Sequence, residues 1–310
     1  MDKTNRSNSM IFRAKQQDLI FNICVMAIPI LQFLIFYVGV NFNSFMLSFQ
    51  EIDAVTGGVS WSLQSIEKAY NWIVKSPAMW KIATNSLVVY AINGLIATPL
   101  GLLFSFYIAK RFPMSKFFRV VLFLPSIISG VVFVSMFDRF VNMAIPDFLM
   151  YEWGIETVGL LSSTDLNSVL STLIFFSVWI SFGGSVLIYS NAMSGISNDV
   201  VEAAHLDGAT GIKEFWYVDF PLIFPTFSTF YITGVVTLFT NQVNLFTFYG
   251  AGAPGAIQTF GYWMFARVQS AKTEVDYPVV SAMGLLQTIV AVPLTFFVKW
   301  LLEKVGPSTD

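Results

Sequence analysis

Charge is scarce in this sequence. Only 12% of its 310 residues are Asp, Glu, Lys or Arg, against about 25% in an ordinary soluble domain, so a soluble protein of this length lacks the residues for a charged skin. The formal net charge is −2, which gives no electrostatic reason to bind nucleic acid. There is one cysteine, Cys24, and one histidine, His205. A disulfide framework is therefore excluded, as is a metal site built from thiolates or several imidazoles. Cys24 lies in an apolar run, and a single buried thiol is usually inert. No Gly-Lys pair occurs, so the phosphate loop G-x-x-x-x-G-K-[ST] is missing and the chain has no ATPase of its own.

Apolar length is abundant: 55% of the chain is hydrophobic, and 32 residues are Phe. No charge occurs between Asp18 and Glu51, Lys81 and Lys110, Arg119 and Asp138, Asp165 and Asp199, Asp219 and Arg267, or Asp276 and Lys299. Each interval holds an apolar stretch of about 18 residues or more, long enough to cross a bilayer as a helix. The reading is an all-α integral membrane protein with six transmembrane helices, near 19–40, 84–108, 118–137, 168–190, 221–244 and 279–301. The third interval is the shortest. The fifth ends before Gly250, Gly252, Pro254 and Gly255, which read as a flexible outer loop. That run fits G-x-G-x-x-G literally, but it follows a membrane helix rather than a strand, so the dinucleotide fingerprint is not met. The first apolar run is about 22 residues long with no small-residue cleavage pattern after it, unlike a cleaved signal.

Eleven of the seventeen Lys and Arg residues fall in the tail 1–18, the loops 110–119 and 191–219, and the stretch from Lys299 at the end of the sixth span onward. The positive-inside rule then puts both termini in the cytoplasm. Residues 1–18 are the expected cytoplasmic tail, and 19–310 the six-helix transmembrane domain. Two outer loops, 41–83 and 138–167, are long. The first is rich in Trp and Tyr (Trp61, Tyr70, Trp72, Trp80) and reads as an interfacial belt or as a docking surface. No ionisable residue lies at the centre of a span, whereas carriers driven by an ion gradient usually keep one there. If the chain pumps a solute, the energy is expected from another polypeptide.

The loop 191–219 is the one long cytoplasmic connection and reads as two short helices. Asp199 caps the first, with Glu202 as the reciprocal partner of a capping box. Gly208 allows its tight end, and Thr210 caps a second helix over Ile212–Val218, with Phe215, Trp216 and Tyr217 in one turn. A small-residue helix enters a narrow groove closely, and its carboxylate can pair with a base there. The alternative is an amphipathic helix lying on the bilayer.

Glu202-Ala203-Ala204, Gly208 four residues on, and Val218-x-Phe220-Pro221 after nine more resemble the EAA signature, E-A-A-x-x-x-G-x(9)-I-x-L-P, of the membrane subunits of binding-protein-dependent ABC importers. Asp207 and Ala209 complete the match; Val218 and Phe220 replace Ile and Leu. The resemblance covers about residues 80–302 and is nearest to the carbohydrate branch, similar to maltose- and glycerol-phosphate-type permeases. It implies a type I importer permease fold in a bacterial cytoplasmic membrane. It also implies that 191–219 is a coupling loop gripping an ATPase through Glu202, Ala203, Ala204, Asp207, Gly208, Ala209, Phe215, Trp216 and Pro221. The implied partners are a second homologous permease, two ATP-binding subunits holding ATP and magnesium, and an extracellular solute-binding protein, within membrane lipid. The chain itself is expected to hold no cofactor, no metal and no catalytic residue.

A sugar is recognised by aromatic faces, amides and hydroxyls. Spans four and five offer Trp179, Ser181, Tyr231, Thr237, Asn241, Gln242 and Asn244, which are costly against lipid and serve either as a substrate pathway or as glue between helices. A peptide or amino-acid cargo, or a carrier acting alone on an ion gradient, are the competing readings.

Overall fold

The structure is a computed structural model that describes residue 19, residues 21–271 and residues 273–307. The expected tail 1–18 lies outside the described residues. Two compact units form, one from residues up to Ala69 with Thr273–Leu285, the other from the remainder.

In the first unit, helix α1 (Phe21–Leu47) carries apolar side chains exposed on every face, such as Phe21, Ile28 and Phe36, the surface that lipid or a partner helix covers. Cys24 is exposed on it, so the expectation of a buried thiol is corrected. Strands β1 (Gln50–Ile52) and β2 (Val59–Trp61) then pair antiparallel with Gln50 opposite Trp61. The Asp53 carboxylate accepts the Val55 and Thr56 N–H groups at 2.7 and 3.0 Å, and Gly57 supplies the positive φ of +66° that closes the turn. Those N–H groups, Thr56 first, hold the Asp53 pKa below its ordinary value. Helix α2 (Gln64–Val74) follows.

The second unit is built on α3 (Met79–Ala109), α4 (Ser115–Ile127), α5 (Gly130–Trp153) and α6 (Leu166–Ser194). Among the described residues, five helical segments are long and apolar enough to cross a membrane, or six if one bent pair counts as a single span. The third expected span is instead a broken pair, α4 and α5, bent by 96°. Pro125 removes an N–H from the end of α4 and its ring crowds the preceding turn. The backbone then leaves the helix at Ile128, ψ 141°.

Aromatic side chains form one core: Phe137 and Phe176 meet at 4.5 Å between ring centres, beside the fully buried Leu173 and Tyr262. Helices α4 and α6 approach closely at Gly183, where an added Cβ would lie 1.8 Å from the Leu122 carbonyl oxygen. Backbone, unlike a side chain, has no rotamer to move. Gly183→Val is therefore expected to separate the two helices and abolish the monodisperse, detergent-stable protein, as read by size-exclusion chromatography.

Helix α7 (Asn198–Leu206) precedes α8, a composite of Ile212–Glu214, a π turn Phe215–Asp219, and Phe220–Thr240. The second short helix expected in the loop is thus the first part of span five itself. Pro221 lacks an N–H and cannot bond four residues back; the wider π turn just before it keeps the chain helical. Helices α9 (Leu245–Tyr249), α10 (Phe260–Ser270) and α11 (Tyr277–Val305) complete the chain.

The Gly250–Gly255 run is not the flexible loop expected. Tyr262 Oη donates to the Gly250 carbonyl at 2.9 Å and accepts the Ala253 N–H at 3.1 Å. Gln258 donates to the Ala253 carbonyl, and Asn85 donates to the Ala256 and Gln258 carbonyls at 2.8 and 2.9 Å. Buried polar side chains from α3 and α10 thus take up the backbone groups that glycine leaves bare.

Candidate functional site

Between α3, α6 and the end of α8 lies a cavity of about 590 Å³, within the size range of small-molecule sites. Ile180, Gly234 and Val243 are its only lining residues without a hydroxyl or amide, and none carries a charge. Five of the residues expected from sequence line it: Ser181, Thr237, Asn241, Gln242 and Asn244. Tyr231 lines a smaller adjoining space of about 70 Å³, together with Asn93, Gly234 and Thr237. Trp179 stands elsewhere, in tilted ring contacts with Phe133 and Phe175 at 5.2 and 6.2 Å.

The floor of the cavity is a break in the helix. After Thr240 the backbone turns extended at Asn241 and then left-handed at Val243 (φ 51°) and Asn244 (φ 57°). A β-branched residue at positive φ is strained. It is held here because Val243 is buried and its N–H is accepted by Asn241 Oδ1 at 2.8 Å. Irregular backbone at membrane depth is tolerated where it lines a cavity. The hydroxyls of Ser181, Ser185, Thr237 and Thr240 bond backward along their own helices. Gln242 and Asn244 make no side-chain hydrogen bond among the described residues, which leaves their amides free. Sequence reasoning missed the strain at Val243, because a dihedral angle has no signature in residue type.

The second feature is the turn between α7 and α8. Ser197, not Asp199, caps α7, accepting the Asp199 N–H at 3.3 Å. Glu202 therefore lies a turn inside the helix rather than in a capping box. It is exposed, with no ionic partner among the described residues. The spacing from Ala204 to Gly208 has a geometric cause. The Ala209 N–H bonds the Ala204 carbonyl at 2.9 Å and the Gly208 N–H bonds the His205 carbonyl at 3.0 Å. This is the Schellman ending, with Gly208 at the required positive φ of +81°. Thr210 caps nothing; Gly211 stands at the N-cap of α8, φ 60°. Ala203, Asp207 and Trp216 are exposed, Ala204, Ala209 and Pro221 half-buried, and Phe215 buried. Phe215 packs edge-on against Phe106 of α3 at 5.5 Å.

Beneath this turn lies a buried ionic cluster. Lys110, at the end of α3, places Nζ 2.5 Å from Glu214 Oε1 and 3.0 Å from Asp219 Oδ1. The other Glu214 oxygen is 3.0 Å from His205 Nε2 on α7. Burial alone would lower the Lys110 pKa, but Glu214 and Asp219 hold it above the ordinary lysine value. The lysine therefore stays charged at physiological pH.

Comparison with known proteins gives the family and the fold. Residues 97–310 match the family described as "Binding-protein-dependent transport system inner membrane component". The chain is 29% identical over 255 residues to the probable ABC transporter permease protein YurN of Bacillus subtilis (strain 168), across 76% of this chain and 82% of the relative. It is 23% identical over 261 residues to the arabinooligosaccharides transport system permease protein AraP of Halalkalibacterium halodurans, across 81% and 78%. Its fold matches a chain in the crystal structure of a bacterial ABC transporter involved in the import of the acidic polysaccharide alginate. That match has a TM-score of 0.73 and 16% identity, and covers 96% of this chain and 99% of the other. With most of its length inside the family and nearly all of it on a shared fold, this chain is a multi-pass inner membrane permease of a binding-protein-dependent ABC transport system.

Proposed function

We propose that this permease moves an uncharged oligosaccharide or similar sugar-like solute, handed over by an extracellular binding protein, through the cavity between α3, α6 and α8. The observation that carries this reading is the cavity wall, which offers hydroxyls and amides but no charge. Such groups satisfy the hydroxyls of a sugar and give no cation to an acidic one. An arabinooligosaccharide permease among the relatives supports the same solute class. Gln242 and Asn244, with free amides at the strained break, are the residues to contact the solute, and Ser181, Thr237 and Asn241 shape the wall.

The working assembly is this chain, a second homologous permease, two ATP-binding subunits and the binding protein. Both termini face the cytoplasm, and ATP is hydrolysed only in the partners. Helix α7 is the coupling helix: its small exposed face enters a groove on an ATP-binding subunit, where Glu202 meets a basic residue. Closure of the ATPase pair moves α7 and, through the continuous helix from Ile212, the break at Asn241–Asn244.

One neutral hydrogen bond is worth about 0.5–1.5 kcal/mol. The double variant Gln242→Ala/Asn244→Ala is therefore expected to lower uptake by about tenfold and to leave ATP hydrolysis stimulated by the binding protein unchanged. Uptake into proteoliposomes containing the whole complex, with the binding protein loaded by each solute of a neutral oligosaccharide panel, measures both quantities. Uptake of charged peptides or amino acids in place of sugars would overturn the solute class.

A further inference from the structure

The cluster of Lys110, Glu214, Asp219 and His205 is not required by the coupling motif. Glu214 and Asp219 occupy positions that the motif leaves open, and Lys110 lies on another helix. Its burial is costly: Asp219 is fully buried, Glu214 is 4% exposed, and Asp219 Oδ2 has no hydrogen-bond partner among the described residues. Apolar residues would fill this space at least as stably, so stability alone does not account for it. Its members also come from three segments: the end of α3 (Lys110), the last turn of α7 (His205), and the start of α8 (Glu214 and Asp219).

We propose that Lys110 is a positioning residue for energy coupling, an ionic clamp that fixes the α7–α8 turn to the cytoplasmic end of α3. The inference rests on the reading of α7 as the coupling helix. Span five receives the motion of α7 through the chain itself, but α3 has no covalent link to α7 there. Lys110 supplies an ionic link instead: Nζ holds both carboxylates of the turn, and Glu214 passes the contact to His205 on α7. The edge-on contact of Phe215 with Phe106, and Lys110 lying 5.5 Å from the centre of the Phe106 ring, close the same joint with apolar surface. Two walls of the cavity, α3 and α8, then move together when α7 is pushed.

The test uses the whole complex in nanodiscs, with Cys24→Ser and spin labels on Arg111→Cys and Tyr217→Cys, both exposed side chains flanking the joint. With Lys110 intact, the distance between labels is expected to be the same with and without ATP and magnesium. Lys110→Met/Glu214→Gln/Asp219→Asn removes the clamp without leaving a bare buried charge. In it the distance is expected to shift when ATP and magnesium are added. Uptake of the neutral oligosaccharide panel per ATP hydrolysed should fall at least fivefold, with the ATPase subunits still bound. Lys110→Arg, which keeps the charge, should retain the native distance and ratio. A neutral triple variant whose distance ignores nucleotide and whose uptake per ATP is native overturns the proposal. Glu202→Lys is run in parallel: if it keeps the ATPase subunits and full uptake, the coupling reading fails, whereas loss of coupling there beside a native triple variant sinks the clamp alone.

Discussion

Replacing Lys110 by Met alone is expected to remove most folded protein from the membrane. The substitution leaves Glu214 and Asp219 facing each other in a site from which water is largely excluded. Breaking a buried ion pair by deleting one partner costs about 3–5 kcal/mol, because the remaining charge is uncompensated. That approaches the whole stability of many domains, about 5–15 kcal/mol. The companion variant with Gln at 214 and Asn at 219 has no stranded charge and is expected to recover most of the loss. Yield of monodisperse protein and the midpoint of thermal aggregation in detergent measure this cycle. Equal losses in the single and triple variants would mean that Lys110 matters through packing over Phe106 rather than through its charge.

Glu202→Lys is expected to be as damaging to function while leaving the chain folded. Glu202 is exposed on α7 and unpaired among the described residues, so reversing its charge disturbs nothing inside this subunit. Against a basic groove it replaces attraction with repulsion, and like-charge juxtaposition at an interface costs several kcal/mol. Copurification of the ATP-binding subunits is expected to fall at least tenfold, with the permease itself at native yield. Gly208→Trp should give the same result by a different route. Space around Gly208 is open, but its φ of +81° strains any side chain, and the indole would stand where the partner groove is expected. Full copurification in both variants would show that α7 does not dock.

Much of the fold was legible because a bilayer imposes a simple rule: a stretch without charge, of sufficient length, is a helix. The five uninterrupted spans obey it. The third departs because length and polarity do not register the bend that Pro125 and the extended Ile128 introduce between α4 and α5. The Gly250–Gly255 run misled because glycine and proline announce irregular backbone, not mobility. What orders it is Tyr262 and Asn85, far along the chain.

The site divides in the same way. The turn between α7 and α8 was readable because Gly208 needs a particular dihedral angle at a particular distance from Ala204, which fixes both residue type and spacing. The cavity residues of spans four and five were readable as polar groups that lipid would not accept. Trp179 resembles them in composition, but its tilted contacts with Phe133 and Phe175 depend on which helix face turns inward. The ionic cluster escaped notice because Lys110 counted only as one more cytoplasmic cation. Its partners lie more than a hundred residues away, and no local pattern announces that Glu214 and Asp219 are buried.

In the proposed mechanism, ATP hydrolysed in partner subunits drives this permease, and α7 transmits the motion. The most direct test of this mechanism is uptake of a neutral oligosaccharide by proteoliposomes holding the whole complex, with loaded binding protein outside and ATP with magnesium supplied to the ATPase side. Accumulation that requires ATP and the binding protein, and that disappears with Glu202→Lys, is the predicted result. Uptake by this chain alone, driven by an ion gradient and indifferent to ATP, would contradict it.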